Sequence, residues 1–376
     1  MNVATLTIDL SALVANWQML SRLHGGETAS VVKANAYGLG AEQAVEALKK
    51  AGCKRFFVAT LAEAINLQHN LKLPPCGGAA ERKHSEVRCV GGNNIAIYVF
   101  QGVLKGEEKE YLHYGLHPVI NHVGGLKSWL EVQQNAKPAA LHIDSGMNRL
   151  GLCASDLQDA EVLRMAKALK ADLLMTHYAS ASNLAHPQNQ AQLDIMQQIE
   201  AHLPHLTTCY ANSAAHFLPK AFHGAVSRPG CALYGINPLD DAPAPMQPVA
   251  ELTAPILQLR TLTSHEVVGY GATETLPKGS TILTAGIGYA DGIHRQASHR
   301  LHGFIGEYRL PQIGRITMDM TCYDATNVPE TILQKATHLT IMDKRNQTVN
   351  HLAQIYNTIG YEVLTSIGAR VKRNYV

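Results

Sequence analysis

The sequence predicts an α/β chain: a TIM-type (β/α)8 barrel over residues 1–237, followed by a mostly β domain over residues 238–376. Three observations carry this. Short runs rich in β-branched and aromatic residues alternate with segments of helical spacing as far as about Gly230. A proline-rich stretch then interrupts the pattern, and beyond it the texture turns to strands and turn signals.

The predicted barrel strands are, in order, SVVKA, RFFVA, IAIYVF, HPVIN, AALHID, DLLMTH, TTCYA and GAVSR. Between them AEQAVEALKKAG, LAEAINLQHNL, GGLKSWLEVQQ, DLQDAEVLRMAKALK and PQNQAQLDIMQQIEAHL repeat apolar residues at helical intervals. Eight strands with intervening helices fit a closed barrel, and a doubly wound sheet shares the same alternation. In NPLDDAPAPMQPVA, Pro238, Pro243, Pro245 and Pro248 disfavour both a helix interior and a central strand, which marks an interdomain linker. ILQLRTLTSHEVVGYG, GSTILTAGIGYADG and RITMDMTCYDA then read as β structure. An opening strand, about residues 3–10 in VATLTIDL, precedes the barrel and can pair with the second domain.

A chain of 376 residues with 46% hydrophobic and 16% charged residues can fill the cores of two domains. Lys plus Arg number 32 against 30 for Asp plus Glu, with no long run of one sign, so neither a nucleic acid nor a membrane surface is expected as partner. A small-molecule substrate is. No uncharged stretch is long enough to span a bilayer, and Asp9 interrupts the apolar start, against a signal peptide. The seven cysteines (Cys53, Cys76, Cys89, Cys153, Cys209, Cys231, Cys322) form no CxxC pair, which fits reduced thiols in a cytoplasmic protein and no metal site.

Lys33 follows the first barrel strand and precedes ANAYGLG. In a barrel it emerges at the C-terminal face, where active sites of this fold are built, and partial desolvation there favours a neutral, nucleophilic amine. Position alone favours a lysine snorkelling at a strand end. Four further sites fall at matching ends: Arg149 in HIDSGMNRLG, His177 in MTHYAS, Asn212 and Ser213 in YANSAA, and Arg228 in VSRPG. One such residue is ordinarily structural, whereas a series on one rim points to chemistry. Tyr289, in GIGYADG of the second domain, reads by itself as a strand-end aromatic.

Taken together, VVKANAYGLG, DSGMNRLG, THYAS, ANSAA, SRPGCALYG, GYADG and GRITMD resemble, in order, the motifs of the alanine racemase family, over a span from IDLSAL to RVKR. The resemblance implies a pyridoxal phosphate-binding barrel domain joined to a C-terminal β domain. It implies that Lys33 carries the cofactor as a Schiff base. Tyr37, Ser213 and the backbone around Gly230 and Cys231 would then hold its phosphate, Arg228 would face the pyridine nitrogen, and His177 would lie near Arg228. It further implies that Arg149 reaches the phenolic oxygen and the substrate carboxylate. Tyr289 would be the second catalytic base, and the backbone of Met318 would meet the carboxylate. In the family the tyrosine and methionine enter the other subunit's site, so a head-to-tail homodimer is expected.

The chemistry fits these residue types. Inverting an α-carbon requires proton removal on one face and return on the other, and Lys33 and Tyr289 are the implied pair, while pyridoxal phosphate accepts the electron pair left behind. A guanidinium with a pKa above about 12 does not protonate the pyridine nitrogen, so Arg228 favours racemisation over transamination. A tyrosine base needs a site that stabilises its phenolate, and a hydrogen bond from His177, itself held by Arg228, is expected to help.

Two positions depart from the commonest pattern of the family. His142 stands where many members have a lysine that can be carbamylated to orient the arginine, and Ala369 where a number of relatives place a phosphate-binding tyrosine. The expected activity is interconversion of L- and D-alanine, supplying D-alanine for peptidoglycan. The alternatives are a broad-specificity or serine racemase and, in another class, a non-catalytic pyridoxal phosphate carrier.

Overall fold

The computed structural model describes residues 3–73 and 95–376; Cys76 and Cys89 lie outside them. Its first sheet runs Glu27–Thr28, Val226–Ser227, Thr207–Cys209, Ala171–Met175, Ala139–Asp144, His117–Ile120, Ala96–Val99, Arg55–Val58 and Ser30–Val31. The first and last members are two halves of one strand on either side of Ala29, so the ring closes. Thr28 pairs with Ser227, and Ser30 with Phe56. Neighbours around the ring are parallel, and each predicted barrel strand is present.

The predicted helices form at Ala41–Lys50, Leu61–Asn70, Val123–Val132, Ala160–Ala168 and Pro187–His202. Their N-caps follow from sequence: Thr60 Oγ1 accepts from Glu63 N–H, and Asp159 Oδ1 from Glu161 and Val162 N–H. The helices Leu10–His24, Glu108–Tyr114, Glu330–Leu333, Val349–Tyr356 and Gly360–Thr365 were not foreseen. The first is capped by Asp9 at its start and by Gly25 in the left-handed conformation at its end. At the strand starts, Arg55 joins Glu27 and Asp172, and Tyr98 Oη donates to Asp172 Oδ2 over 2.6 Å. This network belongs to the stability face of the barrel, opposite the site.

The chain from 236 to 249 has no regular structure. Beyond it, Ala250–Thr261 bends across two sets of partners. Its first half pairs with Thr5–Ile8 and His338–Met342, and its second half with Thr281–Ala285. Through Thr321–Asp324, Tyr308–Ile313 and His302–Ile305 the order returns to His338–Met342, a second closed ring, mostly antiparallel. Thr5–Ile8 and Lys372–Tyr375 extend its edge, so the opening strand is part of the second sheet. A separate hairpin, Glu266–Val268 with Glu274–Leu276, carries Tyr270 near its tip. Most buried apolar side chains of both parts merge into one core, from Leu6 and Phe56 to Leu283 and Leu364, while Leu262, Val268, Leu276 and Ile313 form a small second cluster.

Candidate active site

Five strand ends converge on one cavity of about 300 Å³ at the C-terminal face of the barrel. Lys33, Tyr37, Arg149, His177, Ser213, Arg228, Gly230 and Cys231, all proposed from sequence, line it. A smaller cavity below shares Lys33, Arg149, His177 and Arg228 and adds His142. None of the described residues lining either cavity is acidic, so its charge suits a ligand with several negative groups.

Arg228 is 3% exposed. Its guanidinium donates to the carbonyls of Thr176, over 2.6 Å, and Cys209, and lies 3.1 Å from Cys209 Sγ. It has no carboxylate partner among the described residues, and Nε is left without a hydrogen bond. A buried cation held only by neutral acceptors is costly, which marks a place for an electron-rich ligand atom. These bonds also correct one expectation: Arg228 is anchored by main-chain carbonyls and makes no hydrogen bond to His177. Burial first, then Arg228 and Arg149, hold the His177 imidazole well below its ordinary pKa, so it is neutral.

A cup of neutral donors lies beside it. Gly230 N–H donates to Ser213 Oγ over 2.8 Å and Ala232 N–H over 3.3 Å. A Cβ on Gly230 would stand 2.4 Å from Tyr37 Oη, so glycine is required there for the ring to close over the backbone. Tyr37 packs against Tyr234 at 4.7 Å and Tyr361 at 5.9 Å between centroids. Burial pushes the Tyr37 and Tyr361 phenols up and keeps them protonated donors.

Tyr361 is a site residue that the sequence reading missed. The departure drawn from Ala369 gave a site lacking a C-terminal tyrosine, but Ala369 is not among the cavity's lining residues, and Tyr361, eight positions earlier, is. It enters from the helix Gly360–Thr365 and donates to Cys231 Sγ over 2.9 Å. Its signal in the sequence was only an aromatic on a short helix; packing of the second domain against the barrel brings it in.

Lys33 is partly buried, and its amine is held below the ordinary lysine value by that burial and by Arg149, with Glu63 acting the other way. Arg149 owes its place to Asp144, whose Oδ1 accepts from the N–H groups of Gly146, Met147 and Asn148 and coils the intervening loop. His142 sits beneath. Asn121 Nδ2 donates to the Phe100 carbonyl, so Asn121 Oδ1 accepts from His142 Nδ1–H over 2.8 Å. Burial, with Arg228 next, pushes His142 down to about 3. The ring is therefore neutral, with Nε2 left as an acceptor beside the smaller cavity.

Tyr289 and Met318 do not join these residues. They are knit to each other, Tyr289 N–H donating to the Thr317 carbonyl and Ala290 N–H to that of Met318, both over 3.0 Å. Their side chains are 43% and 52% exposed. A Cβ on Gly288 would strike the Thr317 and Met318 carbonyls at 2.3 and 2.4 Å, which explains the glycine before Tyr289. The structure adds Tyr270, 73% exposed on its hairpin. That hairpin rests on the same loop, since a Cβ on Gly271 would lie 3.1 Å from the Arg315 guanidinium.

With this geometry in place, the comparisons are unambiguous. The alanine racemase N-terminal domain matches residues 8–238 and the alanine racemase C-terminal domain residues 249–375. The chain belongs to the alanine racemase family. It is 38% identical to an alanine racemase of Rhodospirillum rubrum, over 99% of this chain and 96% of that one. With an alanine racemase of Acidiphilium cryptum it shares 39% identity over 99% of both. In structure it is similar to an alanine racemase from Bartonella henselae with covalently bound pyridoxal phosphate, at a TM-score of 0.86 and 31% identity, with both chains fully covered. As in that family, a barrel precedes a β domain. No helix among the described residues is long and apolar enough to cross a membrane.

Proposed function

We propose that the chain is a pyridoxal phosphate-dependent alanine racemase, with Lys33 as one base and a tyrosine of a second subunit as the other. The observation that carries this is the pairing, at one rim, of the partly desolvated Lys33 amine with the buried, carboxylate-free Arg228 guanidinium. The residues fit the cofactor. Tyr37, Tyr361, Ser213 and the amides of Gly230 and Ala232 would receive its phosphate, Arg228 its ring nitrogen and Lys33 its aldehyde. When bound, the cofactor supplies a sink for the electron pair left on Cα.

The chain's own residues do the rest. Lys33 Nζ takes or returns a proton on the face of Cα turned to the barrel. Arg149 holds the substrate carboxylate, and neutral His142 offers Nε2 to keep that guanidinium in place. A guanidinium at the ring nitrogen withholds its proton, which shortens the life of the anionic centre and disfavours transamination. The opposite face is completed in a homodimer by the exposed Tyr270, Tyr289 and Met318 surface. Of the two tyrosines, Tyr270 has the stronger claim over the sequence-derived Tyr289, because it protrudes further from the surface. We place the enzyme in the cytosol, with a role in supplying D-alanine for peptidoglycan.

The decisive test incubates the pure protein with a panel of L-amino acids and follows loss of optical purity. Alanine should racemise fastest. Faster turnover of serine would reassign the substrate, and cofactor binding with no turnover of any member would leave a carrier.

A further inference from the structure

The backbone after Lys33 is left-handed over four consecutive residues. Ala34, Asn35, Ala36 and Tyr37 have φ of 51°, 53°, 53° and 56°. None is glycine, so each places its Cβ against the following carbonyl, and surrounding contacts must hold the turn. Several are internal: Ala36 N–H donates to the Val32 carbonyl, Gly38 N–H to that of Ala34, and Ala41 N–H to Asn35 Oδ1. The bond to the next barrel unit comes from Glu63. Its Oε1 accepts from Ala34 N–H over 2.8 Å, and its Oε2 from Ala59 N–H over 2.7 Å.

Glu63 is the third residue of the helix Leu61–Asn70, with Thr60 as N-cap. In a capping box a glutamate here reaches back to the N–H of the cap residue itself. This one bypasses Thr60 and bridges two strand ends instead. Its charge also matters. Arg149, Arg228 and His177 line both cavities with Lys33, His142 lines the smaller and Tyr37 and Cys231 the larger. Glu63 is the carboxylate that acts on the Lys33 amine.

We propose that Glu63 is the positioning residue of Lys33: it clamps the left-handed turn to the neighbouring strand end and supplies the negative charge that offsets the cationic cavity. The proposal rests on Lys33 being the reacting amine. Removing the clamp loosens the angle at which Nζ meets the aldehyde and Cα, and removing the charge leaves the amine more readily neutral.

The test compares Glu63→Gln, Glu63→Asp and Thr60→Ala in the holoenzyme and after the cofactor is stripped. In the stripped protein, acetylation of Lys33 against pH is read by peptide mass spectrometry. Glu63→Gln should lower kcat about tenfold with a smaller change in KM, and move the Lys33 labelling midpoint down by about half a unit, or about threefold more label below the midpoint. Glu63→Asp keeps the charge but is one methylene short, so it should hold the midpoint and lose part of kcat. Thr60→Ala weakens the helix cap and should leave the midpoint unmoved. If Glu63→Gln loses stability and activity while the midpoint stays, Glu63 is only a helix cap and the proposal is overturned. The same follows if Thr60→Ala shifts the midpoint equally. Should Glu63→Gln not fold, the unchanged midpoint and reduced kcat of Glu63→Asp decide the matter, and full kcat there overturns the clamp. Borohydride label on another lysine would end the functional reading, while the labelling midpoint in the stripped protein would still report on Glu63.

Discussion

Acid should destabilise this protein through its buried histidines, and His216 allows the size of the effect to be worked out. It lies three residues after Ser213, in the short helix Ala214–Phe217, and is 2% exposed. Its Nδ1 faces the Asn212 carbonyl at 2.7 Å, while Nε2 is buried without a partner. It packs with His24 and His223 at centroid distances of 5.9 and 6.1 Å. Burial, then the two neighbouring imidazoles, push it down to about 3. An unfolded histidine titrates near 6.5, so below that pH the unfolded chain binds a proton that the native cluster refuses. Stability is therefore fully present above about pH 6.5 and falls as pH drops toward 3. At pH 5 the difference is roughly 1.5 pK units, or about 2 kcal/mol from this residue. The assay is urea unfolding at fixed protein concentration between pH 8 and pH 5, comparing wild type with His216→Gln, whose amide can still donate to the Asn212 carbonyl. The variant starts less stable at pH 8 but should lose about 2 kcal/mol less over the interval. Equal slopes would mean that His216 takes up its proton in the native state, and the reasoning would be refuted.

The remaining predictions concern the site itself. Borohydride reduction followed by peptide mapping should leave the cofactor on the Lys33 peptide, and label elsewhere would remove Lys33 from the mechanism. Tyr270→Phe should keep cofactor colour and lose at least about a hundredfold in conversion of L-alanine, the usual scale for a general base. Tyr289→Phe should lose far less, and the reverse order would return the role to Tyr289. Mixing inactive Lys33→Ala and Tyr270→Phe chains should restore activity through hybrid dimers, and no recovery after proven subunit exchange would count against shared sites. Ala34→Gly, at a left-handed position, should leave the thermal midpoint unchanged or raised, whereas Ala47→Gly in the helix Ala41–Lys50 should cost about 1 kcal/mol. Equal losses from both would argue against a left-handed turn.

By itself the sequence determined the eight strands of the barrel, because buried parallel strands must be continuous apolar runs, and that periodicity is local. Once the strands are known, the C-terminal rim follows, and with it the common end that Lys33, Arg149, His177, Ser213 and Arg228 share. Residues whose role depends on what they meet from elsewhere were not legible. The run ANAYG has ordinary local propensities, and its left-handed path is tied to the next barrel unit by Glu63, 29 residues away in sequence, which takes the Ala34 amide. Thr60 and Glu63 do carry a capping-box signature, but the sequence cannot say that the carboxylate passes its own cap. Tyr361 reaches the cavity through packing between domains, and Tyr270 is distinguished from Tyr289 only by how far the hairpin lifts it from the surface. Local pattern fixes the elements and the ends they present. Which side chains share a cavity is decided by contacts between residues far apart in the chain, and those form only when both rings close.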